Sequence, residues 1–295
     1  RARGPARMCA RLGRRSPSAR LLLLPTLCTH CAAHLPPPRP CNASVRPGMS
    51  LEEYWDAHHT GPGIWKWRHY FPMYEKHFAR FRGTAVRFAE VGIFSGGSLC
   101  MWRWYFGPQA TIYGLDISPQ TKVYERNPAY GSPDAIFVGD QGSASLWEEV
   151  GRVAPQGALD IILDDGAHIP SLQIATLKLT YRSLLARGGV YLCEDIVHTQ
   201  YGEGFTSFVV NQFVLGKTSL SAPRQSNLQV KLMQTKNGTR LAREFDSVSF
   251  YSYATVIEKR PKPLHFLRAE RHGSIWQPTG FFLQQEGTRK KMVYG

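Results

Sequence analysis

Five short apolar runs, separated by stretches with helical periodicity, constrain the fold of this 295-residue chain more than any other feature. The runs lie at 86–92, 111–117, 135–140, 159–165 and 188–195. Continuous apolar strands that alternate with helices are typical of a parallel sheet covered by helices on both faces. We therefore predict an α/β fold with a doubly wound, mostly parallel sheet.

Three further segments complete the predicted elements. Between 51 and 82, aromatic residues at helical spacing predict helices that are interrupted at Gly61-Pro62-Gly63. The segment 171–186 predicts one long helix that ends before Gly188-Gly189. Late in the chain, FYSYATVIEK at 250–259 is followed by no helix, and it predicts an antiparallel hairpin at the sheet edge.

The net charge of +14 is concentrated at the two ends of the chain. Residues 1–50 contain nine arginines and no acidic residue, and residues 259–295 contain eight Lys or Arg against two Glu. The body between them is close to neutral, whereas a nucleic-acid-binding protein would carry a basic stripe on its folded part. We therefore expect no nucleic-acid partner.

The sequence predicts a disordered basic leader and linker at 1–48, a folded domain at 49–262 and a basic tail at 263–295. Residues 1–20 resemble an organelle transit peptide, while the stretch from Met8 through LLLLPTLC at 21–28 resembles a secretory signal. A translation start at Met49 would instead leave a cytoplasmic protein, so the compartment stays open. The apolar run is too short and too interrupted by proline to span a bilayer, and we expect no membrane span.

A glycine-containing turn follows the first predicted strand, within EVGIFSGGS at 90–98. Glycines let the backbone approach a ligand, and the next helix would present its N-terminus to an anionic group. Glu90, Gly92 and Ser98 are the candidate binding residues, although a purely structural turn explains them equally well. Phe94 stands where a dinucleotide fingerprint requires glycine, which argues against an NAD-linked oxidoreductase.

Polar residues at the ends of the second and third strands suit a nucleoside ligand. Asp116 would accept hydrogen bonds from ribose hydroxyls, and Asp140 and Gln141 could bond the edge of an adenine ring. Each has a structural alternative. Asp116 could cap the turn before Pro119, and 139–141 could form an Asx-type turn.

Acidic residues are crowded at the ends of the fourth and fifth strands, in DDGAH at 164–168 and ED at 194–195. Neighbouring parallel strands open onto the same cleft, so these carboxylates would repel one another unless a cation neutralised them. Oxygen ligands of this kind suit Mg²⁺, Mn²⁺ or Ca²⁺ rather than zinc. Histidine is the side chain whose unperturbed pKa is close to working pH, so His168 is a candidate base beside the metal.

In order and spacing, these motifs resemble those of metal-dependent O-methyltransferases that act on the sugars of macrolides and related glycosides. This group is similar to cephalosporin hydroxylase-like and rhamnosyl O-methyltransferase proteins, and it falls within the class I S-adenosylmethionine (SAM)-dependent methyltransferases. The resemblance extends over roughly residues 65–260. It rests mainly on 90–107 (EVGIFSGGSLCMWRWYFG), 160–168 (DIILDDGAH) and 188–195 (GGVYLCED).

The resemblance implies a seven-stranded Rossmann-like sheet and a SAM-dependent O-methyltransferase that uses Mg²⁺ or Mn²⁺ on a hydroxyl of a small molecule or sugar. It implies that Asp165, Glu194 and Asp195 ligate the metal and that His168 is the general base. The residues that it assigns to the SAM site are Glu90, Gly92, Ser98, Asp116, Asp140, Gln141 and Tyr70.

The sequence leaves two alternatives, a metal-dependent hydroxylase and a non-catalytic protein that binds SAM or a nucleoside. The chain departs from the family pattern after Asp195, where it is one residue longer, so that His198 is placed differently. The leader and the tail after about 262 match nothing in the pattern. These departures leave the acceptor undefined, and the sequence is compatible with a homo-oligomer.

Overall fold

The computed structural model describes residues 48–154, 157–196, 204–214 and 243–264. These residues form a seven-stranded sheet with the strand order β3-β2-β1-β4-β5-β7-β6. The strands are β1 (Arg87–Val91), β2 (Thr111–Asp116), β3 (Ala135–Val138), β4 (Leu159–Asp164), β5 (Leu185–Cys193), β6 (Phe245–Tyr251) and β7 (Ala254–Lys259).

Helices cover both faces of this sheet. The α-helices are α1 (Leu51–Ala57), α2 (Phe71–Phe78), α3 (Gly97–Phe106), α4 (Ala144–Val153), α5 (Pro170–Thr180) and α6 (Phe205–Val209). Short 3₁₀ turns lie at Arg68–Tyr70, Ala79–Phe81, Pro119–Tyr124 and Pro128–Tyr130, and a π-helical turn lies at Val210–Val214.

Strands β1 to β5 are parallel, whereas β7 pairs antiparallel with β5 and β6 pairs antiparallel with β7. The predicted doubly wound, mostly parallel sheet with a late antiparallel hairpin is therefore confirmed. The strand order reverses between β1 and β4, and in such sheets a ligand crevice forms outside the carboxyl ends of the strands at this point. This edge of the sheet is where the candidate site residues lie.

The apolar strands are continuous because both faces of the sheet are buried. Ile161 and Leu163 on β4 contribute to a core layer around Trp102 of α3, while Ile162 between them joins the opposite layer with Tyr181. Side chains alternate between the faces of a strand, so one apolar run serves both layers. Trp102 is fully buried, and its replacement by alanine would cost about 3–5 kcal/mol.

The helical segments predicted between 51 and 82 correspond to α1 and α2. Ser50 caps α1 in a capping box with Glu53, which satisfies free backbone N–H groups at the helix start. The stretch between α1 and the 3₁₀ turn at Arg68–Tyr70 is not helical and contains Gly61-Pro62-Gly63, as predicted.

The helix predicted at 171–186 is too long. Helix α5 ends at Thr180, and Leu185 already belongs to β5, where it pairs with Leu159. The register shifts between Leu159 and Ile161, and Gly188 has a φ of +77°, so Gly188 lies inside an irregular strand rather than ending a helix. Apolar residues at 184–186 continue the helical spacing by chance, and local spacing cannot distinguish the two structures.

The predicted tail at 263–295 lies outside the described residues apart from 263 and 264, and so does the leader apart from residue 48. The boundaries of the folded domain at 49 and 262 stay predictions. Within the described ranges, no helix is both long enough and apolar enough to cross a membrane.

Candidate active site

A cavity of about 630 Å³ opens at the carboxyl edge of the parallel strands. Pockets that bind cofactors and small molecules typically measure about 300–1,000 Å³. The loops after β1, β2, β3, β4 and β5 all contribute to its wall, as the doubly wound topology requires. The predicted site residues on the wall are Gly92, Asp116, Asp140, Gln141, Asp165, His168, Glu194 and Asp195.

Gly92 brings the loop after β1 against the loop after β4. Its φ is +82°, and a Cβ built on it would lie 2.0 Å from the carbonyl oxygen of Asp165 and 2.8 Å from Cα of Gly166. Packing against the protein's own backbone therefore requires glycine at this position. Glu90 and Ser98 lie behind this loop, where the Ser98 hydroxyl donates to Oε2 of Glu90 at 2.7 Å.

Asp116 and Asp140 border the cavity, but each carboxylate also organises its own loop. Asp116 accepts from the backbone N–H of Phe94 at 3.0 Å and from that of Ser118 at 2.9 Å. Asp140 is exposed and accepts from the backbone N–H of Gly142 at 2.8 Å, in an Asx-type turn. The structural alternative therefore exists at both positions, and their roles toward a nucleoside stay predictions.

The side chain of Gln141 is engaged within the protein. Its amide nitrogen donates to Asp164 and to Thr176, both at 2.9 Å, and its oxygen accepts from the backbone N–H of Ala167 at 2.7 Å. These bonds fix the DDGAH loop relative to β3. Burial raises the pKa of Asp164 to about 6, and this carboxylate accepts from Tyr191, so Asp164 supports the loop from inside the protein.

Asp165, His168 and Asp195 form a compact cluster at one end of the cavity. One ligand atom from each lies within 4.8 Å of the others. Nε2 of His168 is 3.6 Å from Oδ2 of Asp195 and 4.0 Å from Oδ1 of Asp165. The three side chains are partly exposed to the cavity, so they remain accessible to a substrate.

Two aromatic side chains orient Asp195. The hydroxyl of Tyr70 donates to Oδ1 of Asp195 at 2.8 Å, and the indole N–H of Trp67 donates to the same oxygen at 3.0 Å. Oδ2 is left facing His168. Tyr70 is buried and does not line the cavity, so its observed contact is with a predicted metal ligand rather than with the space assigned to SAM.

Backbone strain is present at the same place. Three non-glycine residues on the cavity wall have left-handed φ values, Phe94 at +41°, His168 at +55° and Asp195 at +47°. Such conformations cost about 1–3 kcal/mol each and persist only where surrounding contacts hold them, which is common at functional sites. The hydrogen bonds to Asp195 and the packing of Gly92 against the Asp165 loop supply that support here.

Lys66 is a member of the site that the sequence analysis missed. Its Nζ lies 2.6 Å from Asp165, 3.1 Å from Glu194 and 3.3 Å from Glu90, and its side chain is only 2% exposed. Burial opposes the charge on Lys66, but the three carboxylates outweigh it and hold its pKa above the ordinary value. One ammonium can balance the charge of only one of the three carboxylates, so the other two need a further cation or a proton.

Glu194 is the most enclosed of the predicted metal ligands. It is 1% exposed, and its oxygens accept from Lys66 and from the hydroxyl of Tyr74. Burial raises the pKa of Glu194, and the Lys66 ammonium partly offsets that rise. The Glu194 carboxylate therefore lies beside the cluster of Asp165, His168 and Asp195 and contacts the Lys66 ammonium.

The cluster differs from the donor set of a non-haem iron hydroxylase. Such sites use two histidines and one carboxylate, whereas the cluster found among the described residues has one histidine and two carboxylates. His198, the other histidine considered from the sequence, lies outside the described residues. The observed donors do not favour the hydroxylase alternative.

No protein-family model matches the chain. The chain is 36% identical over 152 residues to the 8-demethyl-8-(2-methoxy-alpha-L-rhamnosyl)-tetracenomycin-C 3'-O-methyltransferase of Streptomyces olivaceus, covering 48% of this chain and 35% of that protein. It is 34% identical over 148 residues to the mycinamicin VI 2''-O-methyltransferase of Micromonospora griseorubida, covering 46% and 34%. The chain thus spans about a third of the length of these curated relatives, and the resemblance inferred from its motifs is confirmed.

Among solved structures, the chain is similar to the MycE methyltransferase from the mycinamycin biosynthetic pathway, solved in complex with Mg and SAH. The TM-score is 0.52 and the identity 23%, over 71% of this chain and 53% of that one. This likeness shows that the described part of the chain has the class I methyltransferase fold.

Proposed function

We propose that this chain is a SAM-dependent, divalent-metal-assisted O-methyltransferase whose acceptor is a hydroxyl of a sugar-bearing small molecule. The observation that carries the proposal is the convergence of Asp165, His168 and Asp195 on the cavity that Asp116 and the β1 loop also line. The similarity to named sugar O-methyltransferases supports the reaction type and the class of acceptor.

The donor set fits Mg²⁺ or Mn²⁺. These ions prefer carboxylate oxygens and retain positions for water or substrate, and the cluster supplies carboxylate oxygens on the wall of an open cavity. Asp165, Glu194 and Asp195 would hold the ion, with Glu194 shared with Lys66. When bound, the ion would lower the pKa of the acceptor hydroxyl and SAM would supply the electrophilic methyl group.

The protein's own residues would orient the acceptor and move one proton. The partly exposed imidazole of His168 has Nε2 within 4.0 Å of both aspartates, so it can accept the hydroxyl proton while they stabilise the resulting imidazolium. Tyr70 and Trp67 keep Asp195 in one orientation. Much of the acceleration would come from this positioning.

The rim of the cavity suits an acceptor with an apolar face. Trp65 is 84% exposed and Trp67 is 53% exposed, and both line the cavity. Trp67 also stacks on Tyr253 with ring centroids 6.1 Å apart. Exposed large aromatic side chains beside a polar cluster are typical of ligand sites that hold apolar surface and orient a few polar groups.

The test is methyl transfer from labelled SAM to a panel of rhamnosides and other glycosides, with and without EDTA. We expect product with Mg²⁺, loss of product after thorough chelation, and recovery on adding Mg²⁺ back. His168→Asn should reduce turnover by about 10²–10⁴-fold because the base is lost. SAM should still bind, because asparagine tolerates the left-handed backbone at this position and the fold is kept.

His59→Asn is the matched control, because His59 is exposed and does not line the cavity. It should leave turnover unchanged. Full activity in metal-free protein would refute the role of the metal, and full activity of His168→Asn would refute the base. Tight SAM binding without product on any glycoside would favour the non-catalytic alternative.

A further inference from the structure

The position of Lys66 is unusual for a lysine. It lies in a non-helical segment between two exposed tryptophans, Trp65 and Trp67, yet its own side chain is directed into the protein and is 2% exposed. Lysine is almost never fully buried unless it is paired with an opposite charge. The pairing partners here are Glu90 on β1, Asp165 after β4 and Glu194 after β5.

These contacts engage two of the carboxylates that a metal would also need. Nζ of Lys66 donates to Oδ2 of Asp165 and to Oε2 of Glu194, and both residues are predicted metal ligands. A divalent ion beside them would repel the ammonium at short range, in surroundings where water screens charges poorly. The lysine and the metal therefore cannot both make their best contacts with these two carboxylates.

We propose that Lys66 is a tethered counter-cation, which holds Glu90, Asp165 and Glu194 together before a divalent metal binds and competes with that metal for Asp165 and Glu194. This inference rests on the metal-assisted function proposed above. Lys66 is a positioning residue in this scheme. It sets how strongly the site attracts metal, and it links the carboxylate on the β1 side of the cavity to those on the β4 and β5 side.

The proposal predicts opposite effects on two measurements when the charge is removed. Without metal, Lys66→Met leaves three neighbouring carboxylates without their cation, so the thermal unfolding midpoint should fall. With metal, the repulsion is gone, so the variant should bind Mg²⁺ about tenfold more tightly than the parent protein. A residue that merely supported the fold would lower the midpoint without tightening metal binding.

The experiment measures the thermal midpoint of the full chain in EDTA and in Mg²⁺, together with Mg²⁺ affinity by calorimetry. Lys259→Met is the matched control. Lys259 is also buried, but its Nζ donates to the backbone carbonyls of Tyr181 and Leu185, away from the acidic cluster. We expect Lys259→Met to lower the thermal unfolding midpoint in EDTA. The increase in midpoint on adding Mg²⁺ should be the same as in the parent protein.

Lys66→Arg retains the charge and should also keep the parent's Mg²⁺ affinity. If Lys66→Met does not yield folded protein, Lys66→Gln is measured in the same way, since it keeps hydrogen-bond donors without the charge. An Mg²⁺ affinity in these neutral variants equal to or weaker than the parent's would overturn the proposal for Lys66. Absence of any Mg²⁺ response in the parent protein would instead refute the metal site itself, and the inference with it.

Discussion

Replacing Gly92 with alanine tests how closely the loops after β1 and β4 depend on each other. The new Cβ would lie 2.0 Å from the carbonyl oxygen of Asp165, whereas real Cβ atoms essentially never approach within 3.0 Å of another heavy atom. One of the two loops must therefore move by about 1 Å. The partner in the clash is backbone, which cannot rotate away as a flexible side chain could.

Two terms set the size of the effect on stability. A residue with a Cβ pays about 1–2 kcal/mol for a left-handed backbone such as the +82° φ of Gly92. Overpacking of a tight interior adds about 1–3 kcal/mol. The expected loss of about 2–5 kcal/mol is a large part of the roughly 5–15 kcal/mol that stabilises a typical domain.

Urea denaturation gives this loss directly as a change in unfolding midpoint at constant slope. Gly83→Ala is the matched control, since Gly83 has a φ of +68° and a Cβ there would meet nothing within 4 Å. Gly83→Ala should lose only the roughly 1–2 kcal/mol that a left-handed backbone costs a residue with a Cβ. Because the displaced backbone carries Asp165, we also expect turnover of Gly92→Ala to fall by about 10²-fold, a loss that a 1 Å misplacement can cause. Equal losses of stability in the two variants would refute the close packing described for Gly92.

Two further predictions follow from single contacts. Tyr70→Phe removes a hydrogen-bond donor to Asp195, and calorimetry should give Mg²⁺ binding about 10–100-fold weaker. The control is Tyr181→Phe, which should leave Mg²⁺ affinity unchanged because the Tyr181 hydroxyl has no hydrogen-bond partner among the described residues. Burial lowers the pKa of Lys259 from 10.5 to about 8. Between these pH values the unfolded chain therefore binds more protons than the folded protein, so the folded state gains stability as pH rises. Relative to Lys259→Met, the parent protein should gain on the order of 1–3 kcal/mol in unfolding free energy. A difference in unfolding free energy that stays constant from pH 7 to pH 10 would contradict that account.

The sheet was predictable because buried parallel strands are continuous apolar runs that few other structures require. The runs predicted for β1, β2 and β4 end within one residue of the observed strands. Residues 185 and 186 were assigned to a helix because Leu184, Leu185 and Ala186 continue the spacing of α5. Their place in β5 depends on pairing with Leu159, which no local pattern contains.

The acidic cluster could be predicted because β4 and β5 are neighbouring parallel strands, so their carboxyl ends lie side by side. This holds even where the first residue of a strand is predicted wrongly. Lys66 could not be predicted, since 99 residues separate it from Asp165 and a single lysine in an irregular segment is normally solvated. In the structure Lys66 points away from the exposed side chains of Trp65 and Trp67, but the sequence alone does not show that these tryptophans are exposed. The contact between Tyr70 and Asp195 likewise depends on tertiary structure, because 125 residues separate the two.

The reversal of strand order between β1 and β4 makes the chain modular. Residues 87–140 build the wall that we assign to SAM, and residues 159–195 build the acidic end of the cavity. Recombination between related proteins could exchange the second stretch and alter the metal and acceptor chemistry while inheriting the first. Such a hybrid would have to keep three sets of contacts matched: the fit of Gly92 against Asp165, the hydrogen bonds of Gln141 with Asp164 and Ala167, and the bridge that Lys66 makes from Glu90 to Glu194.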